Sequence, residues 1–112
     1  MRMVQAIIRP EKLDDVKKSL EEGGFIPMTI IEVKGRGEQK GITLEYRGTK
    51  MEVDLLPKVK IELVVHDDMK DKAVAAIEGA ARTGRIGDGK IFISRIDEAV
   101  RIRNDERGEN AL

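Results

Sequence analysis

A glycine-rich segment near residue 90 has the residue types that suit a polyphosphate. It reads Thr83-Gly84-Arg85-Ile86-Gly87-Asp88-Gly89-Lys90. Because glycine has no Cβ, the main chain here can turn sharply and direct several N–H groups at one anion. Lys90, together with Arg101 and Arg103 further along the chain, can neutralise that anion. The segment therefore predicts an anion site, and a nucleotide is the natural ligand.

A short motif of this kind also has an ordinary structural interpretation. A G-x-G-K fragment occurs as a plain turn between a helix and a strand, with its lysine in solvent. Asp88 is equally ambiguous, because an aspartate between two glycines can shape the turn as well as act in chemistry. The rest of the chain has to decide between these interpretations.

The composition argues against several classes of protein. Lysines plus arginines number 21 and aspartates plus glutamates 21, so there is no overall positive field to attract nucleic acid or an anionic membrane. Aromatic residues make up 3%, which leaves few rings for stacking RNA bases. With no cysteine and a single histidine, His66, neither a disulfide framework nor a zinc or histidine metal site is expected. A cytoplasmic protein without a signal peptide or membrane span is predicted.

Hydrophobic periodicity predicts a single α+β domain over residues 1–112, with a ferredoxin-like βαββαβ order. The strands are expected at 2–9, 25–34, 58–65 and 91–96, and the helices at 11–22 and from Asp67 or Asp68 to Thr83. The apolar helix positions are Leu13, Val16 and Leu20, then Met69, Ala73, Ala76, Ile77 and Ala80. Two right-handed crossovers would give a four-stranded antiparallel sheet with helices on one face. Residues 104–112 are expected to form a polar, frayed tail.

One layer of helices leaves the other sheet face uncovered. Isoleucine and valine on that face would be wet in a monomer, so self-association would cover them. Val64, on the opposite side from the alternating apolar set of its strand, supports this interpretation. A solvated sheet face is the alternative that the pattern leaves open.

Residues 36–56 form a long loop without clear periodicity, and loops of this length are usually functional or disordered. Glycines at its base allow it to rearrange, while Gln39, Lys40 and Lys58 offer an amide and two ammonium groups that could hold a metal-bound carboxylate. Tyr46 and Arg47 at the tip would project an aromatic ring and a guanidinium toward a partner. An ordinary solvated arginine is the alternative for Arg47.

With these residues in view, the chain resembles the PII nitrogen-regulatory signal-transduction proteins over nearly its whole length. The matching segments are Ala6-Ile7-Ile8-Arg9-Pro10, Glu32-Val33-Lys34-Gly35, Gln39-Lys40-Gly41, Tyr46-Arg47-Gly48, Leu56-Pro57-Lys58-Val59-Lys60-Ile61-Glu62, Thr83 to Phe92 and Arg101-Ile102-Arg103. The resemblance implies a homotrimer with ATP or ADP in each of three clefts between subunits. It also implies 2-oxoglutarate beside Mg-ATP, and a T-loop at 36–56.

The resemblance also assigns roles to single residues. It implies phosphate contacts from Gly87, Asp88, Gly89, Lys90, Arg101 and Arg103, an adenine side lined by Thr29 and Val64, and further nucleotide contacts at Gly37, Glu38 and Gln39. Gln39 would ligate Mg, and Lys58 would pair with a 2-oxoglutarate carboxylate while Lys40 and Gly41 close over it. Tyr46 and Arg47 would contact the partner.

This chain departs from the family pattern at some positions. Met51 stands where many bacterial relatives have a uridylylated tyrosine, so that modification is not expected, and Thr49 stands where cyanobacterial relatives have a phosphorylated serine. Glu38 replaces an arginine near the phosphates and would repel them unless it faces away, with Arg36 as a candidate for compensation.

Together the residues and the resemblance favour a non-catalytic sensor. It would sense the energy state of the cell through competition between ATP and ADP, and its nitrogen status through 2-oxoglutarate. Through its long loop it would regulate an ammonium transporter, and nitrogen-metabolism enzymes are further candidate partners. Such docking would recruit it to the membrane. The alternative is a small ATPase or phosphotransferase using the same cleft, for which His66 and Asp88 are the candidate catalytic groups. An RNA-binding module is a third class, which the scarcity of aromatic residues disfavours.

Overall fold

The structure is a computed structural model that describes residues 1–37 and 42–112, except for the side chains of residues 42–46 and 50–53. In chain order the elements are β1 (Arg2–Ile8), α1 (Leu13–Glu22), β2 (Thr29–Gly35), β3 (Ile42–Tyr46), β4 (Thr49–Val53), β5 (Leu56–Val65), α2 (Lys70–Ala81) and β6 (Lys90–Arg95). Short 3-10 turns cover Pro10–Lys12, Asp67–Met69 and Gly108–Ala111. The predicted elements are therefore all present, with a hairpin added between β2 and β5.

Four of these strands form one antiparallel sheet in the order β2-β5-β1-β6. β1 lies in its interior, so that Ile7 is opposite Lys60 on β5 and opposite Lys90 on β6. This strand order, with both helices packed in one core, confirms the predicted ferredoxin-like fold.

The core lies between the sheet and the two helices. Alternate residues of the central strands are buried, among them Val4, Ala6 and Ile8 on β1, as the period of two in a strand requires. The helices contribute the buried side chains of Val16, Leu20, Ala73, Ile77 and Ala81, while Leu13, Met69, Ala76 and Ala80 pack around them. The predicted apolar helix stripes are thus confirmed.

Helix α1 ends in a Schellman arrangement that delays the next strand. Gly24 has a φ of 91°, and the N–H of Phe25 donates to the carbonyl of Leu20 at 2.9 Å. Phe25 is 8% exposed and packs back onto the core. The prediction that the second strand begins at Phe25 was therefore wrong: β2 begins at Thr29, after Pro27, which has no N–H to donate.

The long loop is not irregular throughout. β3 and β4 pair as an antiparallel hairpin from Ile42–Val53 to Tyr46–Thr49. This two-stranded sheet is separate from the four-stranded one.

Two further local predictions were wrong. Neither Asp67 nor Asp68 caps α2, because both lie in the 3-10 turn that precedes it and Met69 is the residue before the helix. The C-terminal segment predicted to fray is tied down: Arg101 donates to the carbonyl oxygens of Asn110 at 3.1 Å and Leu112 at 3.2 Å.

The two helices have 10 and 12 residues. In the described parts of the chain, no helix is long and apolar enough to cross a membrane.

The sheet face opposite the helices carries a mixture of apolar and charged side chains. The partly or fully exposed apolar ones include Ile31, 38% exposed, and Phe92, 53% exposed. Beside them Gln5 donates to Glu62 at 3.0 Å, and the ammonium of Lys60 lies 3.3 Å from the same carboxylate. The hydrogen bond from Gln5, and then that from Lys60, lowers the pKa of Glu62. The expectation that apolar groups on this face would be wet in a single chain is confirmed.

Candidate functional site

The predicted anion segment forms a loop from residue 83 to residue 89 between α2 and β6, called here the glycine loop. Gly84, Gly87 and Gly89 have positive φ angles of 84°, 102° and 97°. At Gly89 a Cβ would lie 1.6 Å from the carbonyl oxygen of Ile7. Because β1 pairs with β6 immediately beyond this point, the loop is pressed against the end of β1. Only glycine fits at residue 89, both for space and for backbone conformation.

The side chain of Asp88 points back into its own loop. Its carboxylate accepts hydrogen bonds from the N–H groups of Thr83 and Gly84, both at 2.8 Å, from the Thr83 hydroxyl, and from Nε of Arg9 at 3.1 Å. These donors, the Thr83 hydroxyl first, hold the pKa of Asp88 well below its ordinary value. Asp88 was predicted among the phosphate contacts, but its carboxylate shapes the loop and leaves its main chain to face a ligand.

Arg9 is a residue that the sequence analysis did not assign to the site. Its Nη2 donates to the carbonyl oxygen of Ile86 at 2.8 Å, in addition to the bond from Nε to Asp88. A Cβ at Gly87 would lie 3.1 Å from the same Nη2. The signal that could have found Arg9 is strand register, because a central β1 paired with β6 brings the residue after Ile8 beside the loop that precedes β6.

Two lysines on strands of the sheet lie next to the glycine loop. Lys58 Nζ donates to the carbonyl oxygen of Gly87 at 2.7 Å. Lys90 is exposed and begins β6 on the helix-free face, since it pairs with Ile7. Arg9, Lys58 and Lys90 therefore surround a loop with a single carboxylate, Asp88, whose charge is balanced by its ion pair with Arg9. This end of the sheet favours an anionic ligand.

A second cluster of predicted residues lies at the other end of the sheet. Thr29, Val64, Arg101 and Arg103 line one open groove of about 1000 Å³, called here the far groove. Its apolar lining also includes Met3, Met28, Leu63, Ala111 and Leu112. The guanidinium of Arg101 is fixed there by its bonds to the C-terminal carbonyls and to Glu106 at 3.2 Å. The side chain of Arg103 makes no hydrogen bond or ion pair with the described residues and is exposed.

The glycine loop and the far groove are separated along β5. Lys58 lies at the glycine loop and Val64 in the far groove, six residues apart on one strand. At about 3.3 Å per residue that is roughly 20 Å. The structure therefore does not bring the predicted phosphate cations together within one chain: Lys90 lies at one end of the sheet, and Arg101 and Arg103 lie at the other.

The predicted metal and effector ligands are largely outside the described residues. Glu38, Gln39, Lys40 and Gly41 fall there, whereas Gly37 is described at the base of the loop. In the remainder of the chain that the structure describes, no group of three His, Cys, Asp or Glu side chains could hold a metal ion.

An ion pair joins the two ends of the long loop. Arg36 Nη1 lies 3.0 Å from Asp54 Oδ1, and both side chains are about half exposed. Arg36 was the candidate to compensate for Glu38, but its guanidinium is engaged by this carboxylate. A pair at this exposure contributes about 1 kcal/mol or less.

The tip of the hairpin is a two-residue turn. Arg47 and Gly48 both have positive φ, 50° and 77°, and they follow the last pair of the hairpin, Tyr46 with Thr49. Two left-handed residues in such a connection match the twist of the flanking strands. Arg47 is exposed at this tip, whereas the side chain of Tyr46 lies outside the described residues.

Comparisons with known proteins cover the chain from end to end. Residues 1–106 match the family described as "Nitrogen regulatory protein P-II". The chain is 58% identical to "Nitrogen regulatory protein P-II" of Rhodobacter capsulatus, over the whole of both proteins. It is 55% identical to the protein of that name in Rhodospirillum rubrum, again over both full lengths. It is 56% identical to "Nitrogen regulatory protein P-II 2" of Methanothermobacter thermautotrophicus, covering all of this chain and 97% of the relative.

Proposed function

This chain belongs to the nitrogen regulatory protein P-II family and is a nitrogen-signalling regulator, and on that premise we propose that it is a non-catalytic sensor of ATP, ADP and 2-oxoglutarate. Bound nucleotide and effector bias the conformation of the long loop, and only some conformations bind a target protein. An ammonium transporter is the leading target, with nitrogen-metabolism enzymes as further ones.

The observation that carries this proposal is the separation of the glycine loop from the far groove. A phosphate group held by Gly87 to Lys90 cannot reach Arg101 or Arg103 of the same chain across roughly 20 Å. A second copy can supply them. The nucleotide then binds between two subunits, with its phosphates at the glycine loop of one and its adenine against Thr29 and Val64 in the far groove of the other. Head-to-tail contacts of this kind form a ring when the rotation between copies closes, and the family resemblance implies a closed ring of three copies.

The helix-free face of the sheet supports self-association. Its exposed apolar side chains, among them Ile31 and Phe92, would be removed from water by a neighbouring copy. The polar cluster of Gln5, Lys60 and Glu62 on the same face is already internally paired, which lowers the cost of covering it.

The position of Lys58 supports an effector site next to the phosphates. Its ammonium already lies at the glycine loop, so a 2-oxoglutarate carboxylate bound to Lys58 would sit beside the nucleotide. Gln39 would ligate Mg, and Lys40 with Gly41 would close over the effector. A Mg ion held by Gln39 would supply positive charge beside the phosphates and the effector.

The chemistry of the candidate catalytic groups favours a sensor over an ATPase or phosphotransferase. The pKa of Asp88 is held low by hydrogen bonds to Thr83, Gly84 and Arg9, which makes its carboxylate a weak base. His66 lines the far groove, where the proposed site holds the adenine against Thr29 and Val64, and its imidazole lies 3.8 Å from Glu109.

Calorimetry on the purified protein tests the proposal, with ATP, ADP and 2-oxoglutarate injected separately and together. We expect both nucleotides to bind, and 2-oxoglutarate to bind only with Mg-ATP present. Light scattering in the same buffer should give the mass of a trimer. A monomer that binds neither ATP nor ADP would overturn the proposal, and nucleotide turnover faster than nucleotide exchange would favour the enzyme instead.

A further inference from the structure

We propose that Arg9 is a positioning residue for nucleotide binding, because its guanidinium fixes the glycine loop in the shape that receives the phosphates. It acts through the loop and makes no contact with the nucleotide itself. This inference rests on the proposed function and adds to it a residue outside the predicted site.

Arg9 holds the glycine loop at two points. Nη2 donates to the main-chain carbonyl of Ile86 at 2.8 Å, and Nε donates to the carboxylate of Asp88 at 3.1 Å. The two acceptors flank Gly87, which is the residue whose missing Cβ leaves room for the guanidinium. A planar guanidinium can make both bonds at once, whereas a single ammonium on a flexible stem has no such fixed pair of donors.

The loop needs such a restraint because its conformation is intrinsically unfavourable. Gly87 and Gly89 lie in the left-handed region, and glycine loses more conformational entropy on ordering than any other residue. A loop left to sample many conformations would bind phosphate more weakly, since binding would have to order it first. Arg9 orders it beforehand.

The direction of the donors separates this role from a direct phosphate contact. The Arg9 side chain is 19% exposed, and the Nε and Nη2 donors described above are directed at the loop. Lys58 bonds to Gly87 from β5, so that the loop is held between two strands, by Arg9 at the end of β1 and by Lys58 on β5. The charge of Arg9 is largely balanced by Asp88, its hydrogen-bond acceptor, and therefore contributes little to the long-range attraction of phosphate.

The test compares Arg9→Gln and Arg9→Lys with a matched control, Arg85→Gln. Arg85 is an exposed arginine of the same loop whose side chain makes no hydrogen bond or ion pair with the described residues. Removing Arg85 therefore measures the effect of losing one positive charge from the loop. Calorimetry gives the Kd for ATP and for ADP, and hydrogen exchange of the amides of residues 84–89 reports the order of the loop without ligand.

We expect Arg9→Gln to weaken both ATP and ADP about tenfold, the effect of losing a charge-assisted hydrogen bond. Arg9→Lys should recover little of this, and Arg85→Gln should change affinity less than about threefold. In ligand-free protein, the amides of residues 84–89 should exchange faster in Arg9→Gln than in the wild type. The combined loss in Arg9→Gln with Asp88→Asn should be smaller than the product of the two separate losses, because both changes break the bond between Arg9 and Asp88.

Several results would overturn the inference. Full recovery by Arg9→Lys would mean that charge alone matters, and additive effects of Arg9→Gln and Asp88→Asn would mean that the two residues act independently. A lower melting temperature with unchanged Kd values would mean that Arg9 is merely structural. Unchanged hydrogen exchange at residues 84–89 would overturn the inference even if nucleotide binds, whereas a wild-type protein that binds no nucleotide overturns the proposed function.

Discussion

The ammonium of Lys58 donates a hydrogen bond to the carbonyl oxygen of Gly87 at 2.7 Å. This bond connects the lysine expected to bind the effector with the loop expected to bind the nucleotide phosphates. An effector carboxylate that pairs with Lys58 must compete with the Gly87 carbonyl for the same three N–H donors. The two ligands would therefore influence each other through a single side chain, which is a direct route for coupling between their sites.

Replacing Lys58 by glutamine should remove the effector partner and keep the fold. We expect the affinity for 2-oxoglutarate in the presence of Mg-ATP to fall between tenfold and a hundredfold, the range for a charge-assisted hydrogen bond of about 1.5–3 kcal/mol. ADP affinity should change less, because the glycine loop keeps its contacts with Arg9. Calorimetry measures both affinities.

Lys34→Gln is the matched control for this change. Lys34 is an exposed lysine on the neighbouring strand β2 and makes no hydrogen bond or ion pair with the described residues through its side chain. Equal losses of 2-oxoglutarate affinity in the two variants would contradict a specific role for Lys58.

Gly89→Ala should destabilise the protein far more than alanine at any other glycine of this loop. The new Cβ would lie 1.6 Å from the carbonyl oxygen of Ile7, so either the loop or the β1–β6 pairing must move. We expect a loss of about 3 kcal/mol or more in unfolding free energy, which is about 10 °C or more in melting temperature. Nucleotide binding should be lost as well.

The control is Gly79→Ala, at an exposed position of α2 where a Cβ meets nothing within 4 Å. It should raise the unfolding free energy by up to about 1 kcal/mol, because alanine is the better helix former. Thermal unfolding followed by circular dichroism compares the two variants. A Gly89→Ala protein as stable as the wild type would show that the loop does not approach β1 as described.

Acid should destabilise the protein partly through Asp88. Hydrogen bonds from Thr83, Gly84 and Arg9 lower the folded-state pKa of this carboxyl, whereas its unfolded pKa is about 3.9. The carboxylate therefore stabilises the folded state fully above about pH 4, and this stabilisation is lost as the pH falls below that value toward the folded pKa. Asp88→Asn removes the effect.

Urea unfolding at a series of pH values between about 2 and 6 measures this contribution. The unfolding free energy of Asp88→Asn should depend less steeply on pH below about 4 than that of the wild type. Asp67→Asn is an informative comparison, since the bond from the N-terminal amine lowers the pKa of Asp67 at a site away from the glycine loop. Parallel curves for the wild type and Asp88→Asn would contradict the proposed hydrogen bonding.

Most of the fold could be predicted because the period of two in β5 and the helical stripes of α1 and α2 are direct consequences of a buried face. The predictions failed where local periodicity does not show which element a residue belongs to. The β3–β4 hairpin forms a two-stranded sheet separate from the main one. Phe25 is apolar and buried, but it is buried as the hydrophobic contact of a helix end, not as part of a strand.

The site was predicted as a set of residue types, but its geometry was not. The sequence identified the glycines and lysines near residue 90, while the function of the Asp88 carboxylate and the part played by Arg9 depend on which strands are neighbours. The distance between Lys90 and Arg103 likewise follows from the direction of β5 and the location of the far groove. Pairing across more than 70 residues of chain is not encoded in local periodicity.

Mixing two inactive variants tests whether each nucleotide site is shared between subunits. Lys90→Gln removes a cation at the glycine loop, and Arg103→Gln removes one in the far groove without breaking a described contact. Each variant alone should bind ATP about tenfold more weakly or worse. The two variants are then unfolded and refolded together in equal amounts. Each interface takes residue 90 from one copy and residue 103 from its neighbour, so roughly a quarter of the interfaces would contain both Lys90 and Arg103.

ATP binding measured on the mixture should therefore show a high-affinity fraction that neither variant shows alone. Mixing each variant with itself through the same refolding procedure is the control. A mixture without the high-affinity fraction, while wild-type protein regains full binding after the same treatment, would mean that Lys90 and Arg103 do not share a site across an interface.

Changes at Arg47 should separate target binding from ligand binding. Arg47 has a φ of 50° in the two-residue turn of the hairpin, a conformation that asparagine tolerates better than most residues. Arg47→Asn therefore removes the guanidinium while keeping the turn, and Arg47→Lys keeps the charge. We expect Arg47→Asn to lose association with an ammonium transporter in a pull-down with ADP present, and Arg47→Lys to retain part of it.

The affinity for ADP should remain within about twofold in both Arg47 variants, since the tip is separated from the glycine loop by the length of the hairpin. Gly48→Ala is the complementary change, because it leaves the guanidinium in place but strains a residue with a φ of 77°. A loss of association in Gly48→Ala as large as that in Arg47→Asn would show that the shape of the turn contributes as much as the charge. Undiminished association of Arg47→Asn would contradict docking through the Arg47 guanidinium.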